Sequence, residues 1–294
     1  MPEPTADPRQ QGPTPPFPQE PQEAPGHEAS MQPRPDFGED SYRGTGKLDG
    51  RTAIVTGGDS GIGRAVAVAF AREGADVVVS YLNEHDDAKE TARVVEDAGR
   101  RAVLAAGDIG DVETCRRIIT STIDELGRLD VLVNNAAFQM PHERLTDFPS
   151  EEIERTFRTN IVAMFYLCQA ALPHLRAGAT IINTTSIQAF DPSPELLPYA
   201  ATKAAIVNFT KGLAKQVIGD GIRVNAVAPG PVWTPLIAMS FPKEKIQSFG
   251  QDDPMERPAQ PAELAPAYVF LASDESRFVV GEVLGVTGGR LLPS

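Results

Sequence analysis

A tyrosine and a lysine four residues apart, Tyr199 and Lys203, are the residues of this chain whose spacing most suggests chemistry. In a helix, positions i and i+4 lie on one face one turn apart, so a phenol and an ammonium would lie side by side. A free tyrosine has a pKa of about 10 and transfers protons poorly at pH 7. A cation about 4 Å away stabilises the phenolate by roughly 4 kcal/mol at an effective dielectric of 20, but by only about 1 kcal/mol in water. The pair therefore predicts a proton-transfer group only if it lies in a cleft that excludes most water.

A glycine-rich turn, Gly57-Gly-Asp-Ser-Gly-Ile-Gly63, is the second candidate, and it directly follows an apolar run. Glycines at a strand-to-helix turn let the backbone approach a ligand closely, and the free N–H groups of the following helix point at the same place. Tight turns without a ligand also use glycine. Between the first strand and the first helix of a βαβ unit, however, such a turn predicts a site for the pyrophosphate of a dinucleotide.

The elements that must position these residues alternate from about residue 50 onward between short apolar runs and longer helical patterns. We predict strands at 52–56, 75–80, 102–105, 129–133, 180–184, 224–228 and 283–286. We predict helices at 61–73, 86–98, 112–126, 150–174, 199–217 and 262–272. Because the strands are continuous Val, Ile and Leu runs, both faces of the sheet should be covered by helices. The pattern predicts an α/β fold, a doubly wound, Rossmann-like, seven-stranded parallel sheet in a single domain with an extended N-terminal arm.

The first 46 residues have a different composition, because they hold 11 of the 26 prolines and almost no apolar clusters. Such a segment buries too little surface to offset its chain entropy. We therefore expect a proline-rich extended or disordered arm at 1–46 and a dinucleotide-binding catalytic domain at 47–294. Whether the arm wraps a neighbouring subunit or is a disordered tail stays open.

Charge and cysteine content restrict the partners and the compartment. The net charge of −13 argues against nucleic acid and against an anionic membrane surface. The two cysteines, Cys115 and Cys168, make neither a disulfide framework nor a metal cluster, so a reducing cytoplasm fits best. The N-terminus lacks the apolar core of a signal peptide. His142 and His174 lack partners at metal-ligand spacing, and we expect no metal.

Several motifs in one order resemble the short-chain dehydrogenase/reductase family, and the resemblance covers about residues 48–289. Beyond the glycine turn and the Tyr-Lys pair, these motifs are Asp108-Ile109, Asn134 to Ala137, Asn160, Ser186 placed 13 residues before Tyr199, and Pro229-Gly230. The turn and the proline-rich arm look like a bacterial subgroup of general stress proteins and little-characterised oxidoreductases. Ala137 stands where the family usually has glycine, and we expect its methyl group to crowd the cofactor slightly but to be tolerated.

The resemblance implies a catalytic role for four residues. Tyr199 would be the general acid or base, Lys203 would lower its pKa and bond the nicotinamide ribose, and Ser186 would donate to the substrate oxygen. Asn160 would hold a water that links Lys203 to solvent. The implied function is hydride transfer between NAD or NADP and a small carbonyl or alcohol, with a non-catalytic redox sensor or scaffold as the alternative. Enoyl reduction is disfavoured, because enoyl reductases of the superfamily usually space tyrosine and lysine further apart.

The resemblance also implies a set of cofactor-binding residues. They are Gly57, Asp59, Ser60, Gly61, Ile62, Gly63, Tyr81, Leu82, Asp108, Ile109, Asn135, Ala136, Ala137, Thr184, Tyr199, Lys203, Pro229, Gly230, Val232 and Thr234.

Cofactor choice should depend on the residues just after the second strand, where Ser80-Tyr81-Leu82 carries no charge. We leave NAD and NADP open, with a slight preference for NADP. For the substrate side we expect the loop 188–198 and a lid at 233–261, with Phe138, Phe190, Trp233 and Phe241 as apolar candidates. Relatives in the family are commonly tetramers, so we expect a homo-oligomer.

Overall fold

The chain forms one parallel sheet between two layers of helices, seen here in a computed structural model that describes residues 7–290. The terminal parts of the predicted arm and domain, 1–6 and 291–294, lie outside the described residues. The strands are β1 Thr52–Thr56, β2 Asp76–Tyr81, β3 Ala102–Ala106, β4 Val131–Asn134, β5 Thr180–Thr184, β6 Arg223–Pro229 and β7 Val283–Val286. They are ordered β3-β2-β1-β4-β5-β6-β7, and all neighbours are parallel. The predicted fold class is confirmed, and no strand end differs from the prediction by more than two residues.

The helices that cover the sheet end near the predicted positions. They are α1 Gly61–Arg72, α2 His85–Asp97, α3 Val112–Leu126, α4 Ser150–Phe157, α5 Ala163–Ala171, α6 Leu197–Val217, α7 Pro235–Ser240, α8 Lys243–Gln247 and α9 Pro261–Ala272. Alternate residues of β1 face opposite layers. Ala53 and Val55 pack with α1, α2 and α9, whereas Ile54 packs with α3, α5 and α6. Within 7–290, no helix has the length and apolar character needed to cross a bilayer.

Two regions differ from the sequence-based expectation. The helix predicted at 150–174 is broken by a π-helical turn, Arg158–Val162, and it ends in a short 3₁₀ turn. The segment expected to be an irregular lid contains α7 and α8, both short. Propensity alone gives neither result, because both depend on contacts with distant parts of the chain.

The arm packs along its own domain over residues 7–46. The Phe17 ring lies 4.2 Å from the Trp233 ring, both side chains are buried, and the Trp233 indole N–H donates to the Pro33 carbonyl at 2.8 Å. The Phe17 and Gln22 N–H groups donate to carbonyls of α8 and α7 respectively, each at 2.9 Å. The arm therefore holds the lid segment from outside.

The arm also reaches the glycine turn through Glu28, whose side chain is fully buried. Its carboxylate accepts from the Gly61 N–H at 2.5 Å and from the Arg64 guanidinium at 2.7 Å. Arg64 also contacts Asp87 of α2 at 3.1 Å. One buried ionic group thus joins the arm to the first two helices of the domain.

Candidate active site

A cavity of about 570 Å³ opens at the carboxyl ends of the strands, where ligands bind in open α/β sheets. Its walls come from the glycine turn, from the segments that follow β2 to β6, from the start of α6 and from the lid. Two arm residues, Ala24 and Pro25, complete the rim.

The glycine turn is shaped for a close approach between backbone segments and a ligand. Gly57 and Gly61 have φ angles of +61° and +52°, which favour glycine. A Cβ at Gly63 would collide with the Gly57 carbonyl oxygen. Asn135 fixes the turn from β4, since its side-chain amide donates to the Thr56 carbonyl at 3.0 Å. Gly57, Gly61 and Ile62 line the cavity, although the Gly61 N–H is already bonded to the Glu28 carboxylate of the arm.

Tyr199, Ser186 and Lys203 meet at one wall of this cavity. The Ser186 hydroxyl accepts from the Gln188 N–H at 3.2 Å, and its interaction with the Tyr199 phenol lowers the pKa of the phenol. The Lys203 Nζ lies 5.2 Å from the centre of the Tyr199 ring and donates to the Thr184 carbonyl at 2.9 Å. Tyr199 is half-buried and Lys203 is only 2% exposed, so the pair lies in the shielded cleft that its chemistry requires.

The ionisation of the pair differs from the expectation that Lys203 lowers the pKa of Tyr199. Burial raises the pKa of Tyr199 to about 12, and the hydrogen bond from Ser186 offsets this only in part. Burial lowers the pKa of Lys203 to about 7. An amine that is half neutral near pH 7 supplies little positive charge, and its Nζ is turned towards Thr184. The protein groups alone therefore keep the phenol protonated.

Asn160 lies in the π-helical turn and does not line the cavity. Its side chain accepts from the Phe138 N–H at 2.8 Å and donates to the Phe138 carbonyl at 2.9 Å. It also donates to the Thr202 hydroxyl at 3.1 Å. The Asn160 amide thus joins the segment after β4 to α6. Its contact on α6 is Thr202, the residue that precedes Lys203.

Thr184 is held from a second side by a residue that sequence reasoning missed. The Thr184 and Tyr268 hydroxyls lie 2.7 Å apart, and Tyr268 of α9 is fully buried. Because the Thr184 carbonyl accepts from Lys203, Tyr268 helps to fix the position of the lysine.

The cavity brings together nearly all residues predicted for cofactor binding. Every one lines it except Gly63, which lies behind the turn. Of the apolar substrate candidates, Phe138 and Phe241 line the cavity. Phe190 and Trp233 do not line it. The Trp233 side chain is instead buried against Phe17 of the arm.

Several further residues of the cavity wall were missed in the sequence. They are Ala24, Pro25, Glu84, Gln139, Arg155 and Arg290. Glu84 is the notable one among them, because a buried carboxylate four residues past Ser80 is a charge where none was expected. A longer window after the second strand would have found it.

The residues present fit a dinucleotide. The glycine turn leaves room that a side chain would fill, and the N-terminal end of a long helix faces that room. The Ser80 hydroxyl, which is buried at the cavity wall, has no hydrogen-bond partner among residues 7–290. Gly57, Gly61 and Ile62 would hold the pyrophosphate, and Lys203 and Tyr199 the nicotinamide ribose.

Comparisons with known proteins agree with this geometry. A family model described as enoyl-(acyl carrier protein) reductase matches residues 57–290. The chain is 52% identical over 275 residues to the uncharacterized oxidoreductase YhdF of Bacillus subtilis, covering 94% of this chain and 95% of that protein. It is 47% identical over 283 residues to the glucose and ribitol dehydrogenase of Daucus carota, covering 94% and 97% of the two chains.

Solved structures agree as well. A short chain dehydrogenase from Burkholderia cenocepacia in complex with NADP matches with a TM-score of 0.77 and 32% identity, over 83% of this chain and 98% of that one. A short chain dehydrogenase from Mycobacterium paratuberculosis bound to NAD matches with a TM-score of 0.75 and 31% identity, over 83% and 98%. Fold, cavity and relatives together lead to one assignment: the chain belongs to the short-chain dehydrogenase/reductase family and is an NAD(P)-dependent oxidoreductase.

Proposed function

We propose that Tyr199 is the proton-transfer group for the interconversion of a small carbonyl compound and its alcohol. The observation that carries the proposal is the meeting of Tyr199, Ser186 and Lys203 at one wall of the cavity. The nicotinamide supplies or accepts the hydride. A phenol with a pKa near 12 keeps its proton at neutral pH, so we assign it first as the acid that protonates the carbonyl oxygen.

The neighbours of Tyr199 have separate roles in this proposal. The Ser186 hydroxyl, which already bonds Tyr199, donates to the substrate oxygen where negative charge develops. Lys203 exchanges its own proton near pH 7 and bonds the ribose hydroxyls. Asn160 is a positioning residue, since its side-chain groups hold Phe138 and Thr202 rather than the cavity.

The substrate proposal is a small aldehyde, ketone, sugar or polyol. Polar side chains, Gln139, Gln188, Ser193 and Arg155, line the cavity together with Phe138. This mixture suits a hydroxylated compound with a short apolar part. The name of the Daucus carota relative adds glucose and ribitol to the compounds worth testing first.

The test is the substitution Tyr199→Phe, assayed against a panel of aldehydes, ketones and sugars with both cofactors. We expect turnover to fall by at least a thousandfold, because one hydroxyl supplies the proton, while cofactor affinity stays within a few fold. Tyr166→Phe removes the same atom from a tyrosine outside this cavity and should keep turnover. Normal turnover in the Tyr199 variant would reject the assignment.

The alternative of a non-catalytic redox sensor receives no support from the site, which holds Ser186, Tyr199 and Lys203 together. Enoyl reduction, named in the description of the family model, is disfavoured by the four-residue spacing of Tyr199 and Lys203. An absence of turnover with every compound of the panel would favour either of these alternatives over the proposal.

We also propose that the protein is a homo-oligomer in the cytoplasm. Phe165 of α5 is 49% exposed and contacts Phe209 of α6, while Phe278 beside the edge strand β7 is 99% exposed. Aromatic side chains left in solvent favour subunit contacts. Both cysteines are buried free thiols, as suits a reducing compartment.

A further inference from the structure

The arm segment 17–31, called the strap below, contacts the cavity and its surroundings in three places. Its first residue packs on Trp233 of the lid, and Ala24 and Pro25 line the cavity rim. Glu28 reaches the glycine turn. The strap precedes β1, so it is an addition in front of the sheet and helices of the dinucleotide-binding domain. It therefore runs from the lid to the turn along one edge of the cavity.

Glu28 holds the glycine turn at the residue that begins α1. Its carboxylate is fully buried and accepts from the Gly61 N–H at 2.5 Å and from the Arg64 guanidinium at 2.7 Å. The Glu28 N–H donates to the Asp87 carboxylate at 3.1 Å, and Asp87 also contacts Arg64. Gly61 itself lines the cavity. A residue of the strap therefore fixes a residue of the turn that the cofactor would meet.

The Glu28 contact is specific but contributes little net stability, so the strap can leave the turn. Burial raises the pKa of Glu28 to about 7, although Arg64 and the Gly61 N–H oppose the shift. Removing two charges from water costs much of what a buried ion pair gains. Arg64 would keep the Asp87 carboxylate and the Asp59 carbonyl as partners without Glu28. A state with the strap displaced therefore leaves no buried cation unpaired.

At the lid, the strap lies directly against the short helices that form the cavity wall. Two of its N–H groups donate to carbonyls of α7 and α8, each at 2.9 Å. A Cβ at Gly26 would lie 3.1 Å from the Pro235 carbonyl oxygen and 3.4 Å from the Met239 Cβ. Pro235 and Met239 both line the cavity. While the strap is docked, α7 therefore cannot move outwards from the cavity.

The chain that follows the strap is attached to the domain independently of it. The Tyr42 hydroxyl donates to the Glu73 carboxylate at 2.6 Å. The N–H groups of Thr45 and Lys47 donate to the same carboxylate at 2.8 and 2.9 Å. Hydrogen bonds to a charged group are the stronger ones in proteins. Residues 42–47 are thus anchored directly after α1, and the strap can undock without detaching them.

We propose that the docked strap holds the dinucleotide in the cavity and that the strap must undock before the dinucleotide is released. Glu28 is the positioning residue of this device, since it acts on the cofactor through Gly61. Docking of the strap and binding of the cofactor then strengthen each other by the same factor, because coupling between two sites is reciprocal. The proposal concerns binding and release, so it is tested separately from the proton transfer assigned to Tyr199.

The first test measures how fast the cofactor enters and leaves the full-length protein. Stopped-flow fluorescence follows the binding of NADH or NADPH and its displacement by a large excess of the oxidised form. We expect Glu28→Ala to raise the release rate about tenfold and to leave the association rate nearly unchanged, because the strap obstructs exit. Glu28→Gln keeps an oxygen that can accept from the Gly61 N–H, so it should recover part of the effect.

Two further variants separate the proposal from a general loss of structure. Glu23→Gln removes an equal charge from an exposed side chain of the same segment and should leave both rates unchanged. Phe17→Leu weakens the strap at the lid, where the ring stacks on Trp233, and should speed release with Glu28 intact. The Phe17 variant remains informative if Glu28→Ala does not fold.

The second test observes the strap itself. Hydrogen exchange of the full chain, read by mass spectrometry, reports how often the amides of residues 17–31 open to solvent. With saturating cofactor these amides should exchange about tenfold more slowly in the parent protein, as the reciprocal coupling requires. The anchored residues 42–47 should change little. In Glu28→Ala the cofactor should no longer protect the strap.

Three outcomes would overturn the inference. The first is an unchanged release rate in a folded Glu28→Ala or Phe17→Leu protein. The second is slower association with unaltered release, since Glu28 would then shape the turn before binding without retaining the cofactor. The third is strap amides that exchange equally fast with and without the cofactor.

Discussion

At the scale of single residues, the active site buries an amine, that of Lys203, and a phenol, that of Tyr199. The pKa of each group is shifted from its ordinary value. Lys203 has a pKa near 7 and Tyr199 a pKa near 12 because burial disfavours the charged form of both. The two side chains are neighbours, but the Lys203 amine does not carry a full positive charge at pH 7, because its pKa is about 7. This arrangement has a consequence for stability.

Replacing Lys203 with Met should make the protein more stable at pH 7, although inactive. The ordinary pKa of a lysine is 10.5, so between pH 7 and 10.5 the unfolded chain binds more protons than the folded one. Folded stability therefore rises with pH across this window, and the buried amine is most destabilising at pH 7 and below. After subtracting the lost bond to Thr184, we expect a gain of about 1–3 kcal/mol at pH 7.

Urea unfolding at pH 7 and pH 9.5 measures this gain, which should shrink at the higher pH. Lys211→Met, at an exposed position of the same helix, is the control and should show no such pH-dependent gain. A gain that is the same at both pH values would show that burial of the amine is not its cause.

At the scale of elements, the glycine turn joins β1 to α1 with almost no spare volume. Gly63 packs against the Gly57 carbonyl, and Asn135 of the segment after β4 closes the turn from the other side. The turn is therefore a single unit made by two strands and one helix.

The substitution Gly63→Ala should weaken dinucleotide binding by at least tenfold, because the methyl group would displace the Gly57 carbonyl and open the turn. Calorimetric titration with NADH and NADPH measures the loss. The matched control is Gly212→Ala on the exposed face of α6, where an added Cβ has open space. That change should instead stabilise the protein by about 0.5–1 kcal/mol. Unaltered binding in the Gly63 variant would contradict the tight packing.

The bounds of helices and strands were predicted well where neighbouring residues alone determine them. Hydrophobic periodicity and composition predicted the ends of β1, α1 and α6 to within a few residues of the observed ends. Runs of Val and Ile and helical spacing are visible in neighbouring positions of the sequence. The π-helical turn at 158–162 was not predictable in this way. Asn160 bonds Phe138 and Thr202, residues 22 and 42 positions away, and these tertiary hydrogen bonds accompany the break.

At the scale of the whole molecule, the arm connects the lid to the glycine turn. Phe17 and Met31 form a small core with Trp233, Ala238 and Ile246 of the lid region. Composition predicted an extended or disordered segment and gave no indication of where it docks, because its few apolar residues leave no periodic pattern. The cavity residue Glu84 was missed for a different reason, since it lies just beyond Ser80-Tyr81-Leu82, the segment on which the cofactor prediction rested.

The arm can be followed through Trp233, the single tryptophan of the chain. Phe17→Ala should shift its emission to longer wavelength and destabilise the protein by about 3 kcal/mol, because Phe17 stacks on a fully buried indole. Fluorescence and thermal unfolding measure both effects. Leu145→Ala, at an exposed side chain away from the arm, is the control and should change neither. An unmoved emission spectrum in the Phe17 variant would mean that the arm does not cover Trp233 in solution.

The path of the arm has a consequence for how the protein is made. Pro8 accepts a hydrogen bond from Arg257, and Phe17 docks on Trp233 and on the carbonyl of Gln247. This part of the arm therefore binds residues that are translated much later than the arm itself. Until the lid and Arg257 have been translated, residues 8–22 of the nascent arm lack the surface they dock on, whereas Glu28 can bind Gly61 and Arg64 much earlier.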